Sequence, residues 1–162
     1  MNTKKIIFLC DTSVKSGMGH FIRSIAIAQS LEEFGEKNIL FLVEEKSNLS
    51  RYFRNLNFVY FSHLKTKKET FSFLKIIITR ENPKLLFLDT KLDFPKNFFT
   101  SFKDQSIKIA TIDDGHEKRL ESDISFYPPQ KSVYNLNWKN YKGSLNIGWE
   151  WIALRSEFSK KE

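Results

Sequence analysis

Short apolar runs alternate along the chain with longer stretches in which apolar residues recur every three or four positions. Continuous short runs are typical of strands buried on both faces of a parallel sheet, whereas the longer stretches are typical of amphipathic helices. The pattern predicts strands at 4–10, 38–43, 58–61, 84–89, 107–112, 124–127 and 144–147. It predicts helices that begin near Gly19 and that cover 49–56, 66–80 and 95–103.

Turn and capping residues indicate where these elements end. Gly35 is placed to stop the first helix, because glycine readily adopts the left-handed conformation that follows a helix. The pair Asn82-Pro83 stops the helix over 66–80. Asp93 is expected to cap a helix from Pro95, and residues 128–140 are predicted to form a loop.

The alternation of strands and helices predicts a Rossmann-like α/β fold. Right-handed crossovers between successive strands give an open, mostly parallel sheet with helices on both faces. At 162 residues the chain is expected to form one domain over 1–158, with 159–162 as a linker or tail. The 16 phenylalanines recur at strand and helix spacing, which predicts that they pack in the core.

Composition narrows the class of protein. The net charge of +7 is scattered over the chain, which is typical of a lysine-rich surface and would also attract phosphates. No nucleic-acid-binding motif is present, so we do not expect nucleic acid as a ligand. The single Cys10 excludes an internal disulfide, and no apolar run has the length of a signal peptide or a membrane span. We therefore expect a cytoplasmic protein with no integral membrane segment.

Residues 16–31 combine a glycine loop with the start of a helix, directly after the first strand. Gly17 and Gly19 let the backbone turn sharply, and the free amides of the helix start favour an anion. His20 and Arg23 can share the helix face that borders the loop. The positive end of the helix dipole disfavours the protonated imidazole, which makes His20 a candidate base. Two alternatives remain open: glycines needed only for packing, and a histidine that caps the helix or is buried.

Carboxylates follow several predicted strands. Because ligands of open α/β sheets bind at the carboxyl ends of the strands, we expect these side chains to face one crevice with His20 and Arg23: Asp11, Asp89, Asp113 and Asp114. A histidine, carboxylates and a cation together suit the activation of a water molecule. For Asp89 and Asp113 the alternative is a capping or turn role. A Mg²⁺ site is a less favoured alternative, and we expect no metal or other cofactor.

Several motifs resemble one known family. They are DTS at 11–13, GMGHFIR at 17–23, IAQSL at 27–31 and GWEWIALRSEF at 148–158. Together they are similar to the PseG-like nucleotide-sugar hydrolases of pseudaminic acid biosynthesis and to related spore-coat polysaccharide proteins. The glycine loop also resembles, more distantly, that of MurG-type glycosyltransferases. The likeness covers the whole chain but only the N-terminal half of a family member.

The resemblance implies a fold, a reaction and a set of site residues. It implies the N-terminal Rossmann-like domain of a GT-B protein, whose C-terminal half holds the uridine diphosphate. That half would be a partner domain or a separate chain, and the substrate would be a UDP-sugar. It implies that His20 is the catalytic base, and that the other matched residues bind the substrate or tune the base: Asp11, Gly17, Gly19, Arg23, Asp89 and Asp113.

Departures from the family pattern keep the substrate and the activity open. Residues 90–92 read Thr-Lys-Leu where the family usually carries His, Tyr and Gly, which line the sugar pocket. We expect Trp149 and Trp151 to seal the domain, with stacking on a sugar as the less favoured alternative. We expect Arg155 and Glu157 to form an ion pair. A non-catalytic half-domain that pairs with a separate nucleotide-binding chain is the main alternative. A flavodoxin-like or receiver-like module is a third hypothesis, which the glycine-histidine loop disfavours.

Overall fold

The computed structural model describes residues 4–12, 18–44, 55–61, 64 and 66–154. Gly17, most of the predicted helix over 49–56 and the pair Arg155 and Glu157 lie outside these ranges. The strands are β1 Ile6–Cys10, β2 Ile39–Val43, β3 Asn57–Tyr60, β4 Leu85–Asp89, β5 Lys108–Ile112, β6 Ile124–Tyr127 and β7 Ser144–Ile147. The α-helices are α1 Gly19–Glu33, α2 Lys67–Glu81, α3 Thr100–Lys103 and α4 Lys131–Tyr134, and 3₁₀ turns lie at Glu117–Glu121 and Trp149–Trp151. None of the described helices has the length and apolar character needed to span a membrane.

The strands form one seven-stranded sheet in the order β3-β2-β1-β4-β5-β6-β7. Every neighbouring pair is parallel, which confirms the predicted Rossmann-like α/β fold. The chain builds outward from β1 to β3 and then returns to place β4 on the other side of β1. Such a reversal opens a crevice at the carboxyl ends of the two strands, where open α/β sheets bind their ligands.

Both faces of the sheet are covered by apolar side chains, because successive strand residues point to opposite faces. Ile7 and Leu9 belong to a cluster with α2 residues and with the aromatic residues that precede and enter α3. Ile6 and Phe8 belong to a second cluster, to which α1 contributes Phe21, Ile25 and Ala28. This arrangement explains why the central strands read as uninterrupted apolar runs. Most of the 16 phenylalanines are buried in these two clusters or pack against them, as predicted.

Local sequence signals set the ends of the two long helices. Gly35 has a φ of +94°, and its amide donates to the Glu32 carbonyl while the next amide donates to the Leu31 carbonyl. This bond pair is a Schellman motif, as predicted from the glycine. At the start of α2, Thr66 and Glu69 form a reciprocal capping box. Asn82 adopts the left-handed conformation at the end of that helix.

Two predicted segments differ from the structure. The helix predicted from Pro95 begins only at Thr100, and Asp93 does not cap it. Asn97 adopts a φ of +62°, which interrupts a helix, and packing among Phe94, Phe98 and Phe99 holds the preceding turns in place. The segment 128–140, predicted as a loop, contains the short helix α4.

Candidate functional site

Asp89, the last residue of β4, is the centre of a polar cluster at the carboxyl edge of the sheet. Its side chain is only 1% exposed. Arg23 donates to both carboxylate oxygens, from Nε at 2.8 Å and from Nη2 at 2.6 Å, and the Ser24 hydroxyl donates at 3.4 Å. His20 Nδ1 lies 2.6 Å from Asp89 Oδ1. A two-pronged bond between arginine and a carboxylate fixes the orientation of both groups.

The fold brings these residues together from separate parts of the chain. The last residues of the adjacent strands β1 and β4, Cys10 and Asp89, lie side by side. The first two turns of α1 lie over this point and carry His20, Arg23 and Ser24 at a spacing that puts them on one helix face. The predicted meeting of His20, Arg23 and Asp89 therefore occurs at the reversal between β1 and β4.

The contact with Asp89 sets the orientation of the His20 ring. A carboxylate accepts but does not donate hydrogen bonds, so the proton of the neutral imidazole lies on Nδ1 and the Nε2 lone pair faces away from Asp89. The His20 side chain is 22% exposed, so it is neither sealed in the core nor fully in water. It does not cap the helix, whose N-cap is Met18. The ring is therefore held in place with one nitrogen available as a base.

Arg23 links the cluster to a second carboxylate. Its Nη1 donates at 3.4 Å to Asp113, which follows β5, has a φ of +50° and keeps a side chain that is 41% exposed. Burial lowers the pKa of Arg23, but the hydrogen bonds and charge of Asp89, and then of Asp113, outweigh burial and raise it above its ordinary value. Arg23 is thus always charged and is already paired. With a neutral imidazole, one cation and two carboxylates leave the cluster with a net negative charge.

Asp11 lies at the same edge but makes different contacts. Its carboxylate accepts from the Thr90 hydroxyl at 2.5 Å and from the Lys91 amide at 2.8 Å, and the residue is 5% exposed. The Thr90 oxygen in turn accepts from the Leu92 amide. These bonds hold the loop that follows β4, whereas the predicted role of Asp11 in binding substrate remains a prediction.

Replacing Asp11 with alanine is expected to lower the free energy of unfolding by about 1–3 kcal/mol, because a buried hydroxyl and an amide lose their acceptor. Urea denaturation measures this loss. Thr90→Val removes the hydroxyl that donates to Asp11 and accepts from the Leu92 amide, so it is also expected to lower the free energy of unfolding. Unchanged stability of Asp11→Ala would contradict the role in holding the loop.

Asp114 is not part of the cluster, contrary to the expectation that all four aspartates face one crevice. It is 6% exposed, and both carboxylate oxygens lie within 3.2 Å of the buried Lys118 ammonium. One of those oxygens also accepts from the His116 amide at 2.8 Å. Asp114 therefore organises the turn that follows β5, and the buried ion pair satisfies its charge internally.

The packing around Gly19 and the pKa of Cys10 limit the roles that these two residues can have at the carboxyl edge. A Cβ built at Gly19 would meet no atom within 4 Å, so close packing among the described residues does not require a glycine there. Burial, reinforced by the charge of Asp89, raises the pKa of the Cys10 thiol, which makes it a poor nucleophile and a poor metal ligand. Among the described residues, no group of three or more His, Cys, Asp or Glu side chains is arranged to hold a metal ion.

A cavity of about 280 Å³ adjoins the cluster. Arg23 forms part of its wall, and the remaining lining comes from Ile112, Pro128, Gln130, Trp149 and Trp151 to Ala153. The expectation that both tryptophans seal the domain is wrong for Trp149, which is 76% exposed, whereas Trp151 is 40% exposed and packs on Phe126. A larger cavity of about 660 Å³ lies between residues 93–103 and 115–121 and does not touch the cluster.

The sequence interpretation missed Ser24 and Gln130, and it named Thr90 and Trp149 without assigning them to the site. Ser24 carried a signal, since it follows His20 by four residues and so lies on the same helix face. Gln130 carried a weaker sequence signal, because it follows the end of β6 at the carboxyl edge of the sheet. Nothing in the local sequence distinguishes an exposed Trp149 from a buried one.

No protein-family model matches the chain, and no curated protein matches it significantly.

Proposed function

We propose that this chain is the catalytic-base half of a UDP-sugar hydrolase or a related glycosyltransferase, acting in surface-polysaccharide or nonulosonic acid biosynthesis. The observation that carries the proposal is the His20–Asp89 pair, in which the carboxylate holds Nδ1 at 2.6 Å and leaves Nε2 available. His20 follows Gly19 at the start of α1, and the pair lies at the point of the sheet where ligands of this fold class bind. The buried Cys10 thiol suits a reducing, cytoplasmic compartment.

In the proposed reaction, Nε2 of His20 takes a proton from a water molecule. The water oxygen attacks the anomeric carbon of the sugar, and the bond between that carbon and the diphosphate oxygen breaks. UDP leaves with the bonding electron pair, and the sugar gains the hydroxyl. Asp89 holds the ring and stabilises the imidazolium that forms, because its buried carboxylate is already directed at Nδ1. In a transferase, an acceptor hydroxyl would take the place of water.

The charge of the cluster supports a role on the sugar side of such a substrate. Arg23 is paired with Asp89 and Asp113, so it has little capacity left to neutralise a diphosphate. Carboxylates such as the partly exposed Asp113 are instead good acceptors for sugar hydroxyls. The diphosphate would then be held mainly by a second half, as the family resemblance implies.

The test is a titration of the ¹⁵N-labelled chain with UDP-N-acetylglucosamine and, separately, with UDP. We expect the amide signals of Gly19, His20 and Arg23 to shift with the sugar nucleotide and to shift less with UDP. Release of UDP is followed in the same samples, with protein in excess so that slow turnover is detected. Absence of both the shifts and UDP release would overturn the proposal.

An apolar groove favours the alternative of a half-domain that pairs with another chain. It has a volume of about 570 Å³ and lies between α1 and residues 150–154, over apolar side chains of β4, β5 and β6. Phe34 and Leu154 on its edges are 88% and 59% exposed. Exposed apolar surfaces of this kind mark sites of protein interaction.

This alternative has its own test. A separate nucleotide-binding chain encoded beside this one should restore turnover of the UDP-sugar when the two are mixed. Leu154→Asp should abolish that restoration, because it places a charge in the groove. Ile76→Asp should not, because Ile76 is similarly exposed, at 64%, but lies on α2 outside the groove. Equal effects of the two substitutions would contradict docking at the groove.

A further inference from the structure

The 3₁₀ turn after β7 presents the indole of Trp149 at the carboxyl edge of the sheet. Trp149 is 76% exposed, yet its backbone is anchored on both sides. The Gly148 amide donates to the Tyr127 carbonyl at 3.1 Å, and the Ile152 amide donates to the Trp149 carbonyl at 3.2 Å. Trp151 packs on Phe126 with ring centroids 5.3 Å apart. The neighbours of Trp149 therefore hold the turn, and its own ring is free to contact a ligand.

Trp149 and Arg23 line the same cavity of about 280 Å³. Arg23 belongs at the same time to the polar cluster, through its bonds to Asp89 and Asp113. The cavity therefore adjoins the polar cluster through Arg23, which belongs to both. Its volume lies just below the range of about 300–1,000 Å³ typical of complete ligand sites, so it suits one part of a larger ligand.

The residues that line the cavity indicate which part of a ligand it suits. Apart from Arg23 and Gln130, the walls are apolar or aromatic. A pyranose ring matches such walls, because one face presents C–H groups while the hydroxyls project from the rim. Burial of an apolar ring lowers the free energy, and the exposed indole of Trp149 lacks this contribution in the unbound chain. A ligand that covers the indole therefore gains binding free energy from its burial.

We propose that Trp149 is a specificity-determining residue that packs against the apolar face of the substrate's sugar ring. This inference rests on the proposed function. Gln130 and Arg23, the polar residues of the cavity wall, then meet the hydroxyls at the rim of the ring. Trp149 contacts the sugar and not the nucleotide. Its removal should therefore weaken binding of a sugar nucleotide without changing binding of UDP.

The experiment compares Trp149→Ala and Trp149→Phe with the wild-type chain. The dissociation constants of UDP-N-acetylglucosamine and of UDP are measured by NMR titration, and the Trp149 indole N–H signal is assigned from the Phe variant. We expect Trp149→Ala to raise the dissociation constant of the sugar nucleotide about tenfold, equivalent to about 1.4 kcal/mol. We expect the constant for UDP to be unchanged, Trp149→Phe to retain most of the affinity, and the indole signal to shift only with the sugar nucleotide.

Tyr134→Ala is the matched control, because Tyr134 is a similarly exposed aromatic residue, at 67%, that lies on α4 outside this cavity. If wild-type chain binds the sugar nucleotide and Trp149→Ala binds it equally well, the inference fails while the proposed function stands. An equal loss of affinity for UDP, or a change in oligomeric state on substitution, also overturns it. If the wild-type chain neither binds nor hydrolyses the sugar nucleotide, the proposed function itself fails.

Discussion

Asp89→Ala is expected to lower the free energy of unfolding by about 3 kcal/mol, at the low end of the range for breaking a buried ion pair. The substitution leaves the Arg23 guanidinium, whose side chain is only 24% exposed, without the acceptor of its two shortest bonds. The part of Arg23 that water reaches keeps the loss from being larger. Urea denaturation of the two proteins measures the difference.

Two further variants make this prediction specific to the buried pair. Asp113→Ala removes the more exposed carboxylate that contacts Arg23 at 3.4 Å, so it should cost less than about 1 kcal/mol. Adding Arg23→Met to Asp89→Ala should recover part of the stability, because no unpaired charge then remains. Equal losses for Asp89→Ala and Asp113→Ala, or no recovery in the double variant, would contradict the account of the cluster.

His20→Ala is expected to reduce the rate of UDP release by about 10²- to 10⁴-fold, the usual contribution of a general base. Binding of UDP-N-acetylglucosamine should change little, because the proposed role of the ring is in proton transfer. The free energy of unfolding should also change little, since the imidazole is partly exposed and Asp89 keeps both bonds to Arg23. UDP release under single-turnover conditions measures the rate.

His116→Ala is the control for this substitution. His116 is exposed, and its contact with Asp114 is made by its backbone amide, so removal of its ring should leave the rate unchanged. A rate for His20→Ala equal to that of the wild-type chain would exclude the imidazole as the base. Absence of UDP release from the wild-type chain alone would instead show that turnover needs the second half, and the two histidine variants are then compared in its presence.

Strand positions were predictable from the sequence because burial on both faces of a parallel sheet requires uninterrupted apolar runs. The runs at 124–127 and 144–147 correspond residue for residue to β6 and β7. Gly35 and Asn82 marked helix ends through local backbone chemistry. The start of α3 was not predictable from Pro95, because packing of the aromatic rings around Asn97 overrides the helix signal there.

The candidate site was predictable only in part. His20 and Arg23 share a helix face in any helix that starts at Gly19, so their proximity follows from the sequence. That both meet Asp89, 66 residues beyond Arg23, depends on β4 lying next to β1. Asp11 and Asp114 occur in the same sequence context as Asp89, but Asp11 bonds to the loop that follows β4 and Asp114 to the turn that follows β5. Strand-end position alone does not distinguish these cases.

Periodicity and capping are properties of a few neighbouring residues, so they determined the elements, the fold class and the glycine-histidine start of α1. The partners of each carboxylate and the exposure of Trp149 depend on residues far away in the chain, and strand order brings those residues together. The tertiary structure therefore decided that Asp89 holds His20, and that Asp11 holds the loop after β4. It also decided that the exposed indole of Trp149 lines the same cavity as Arg23.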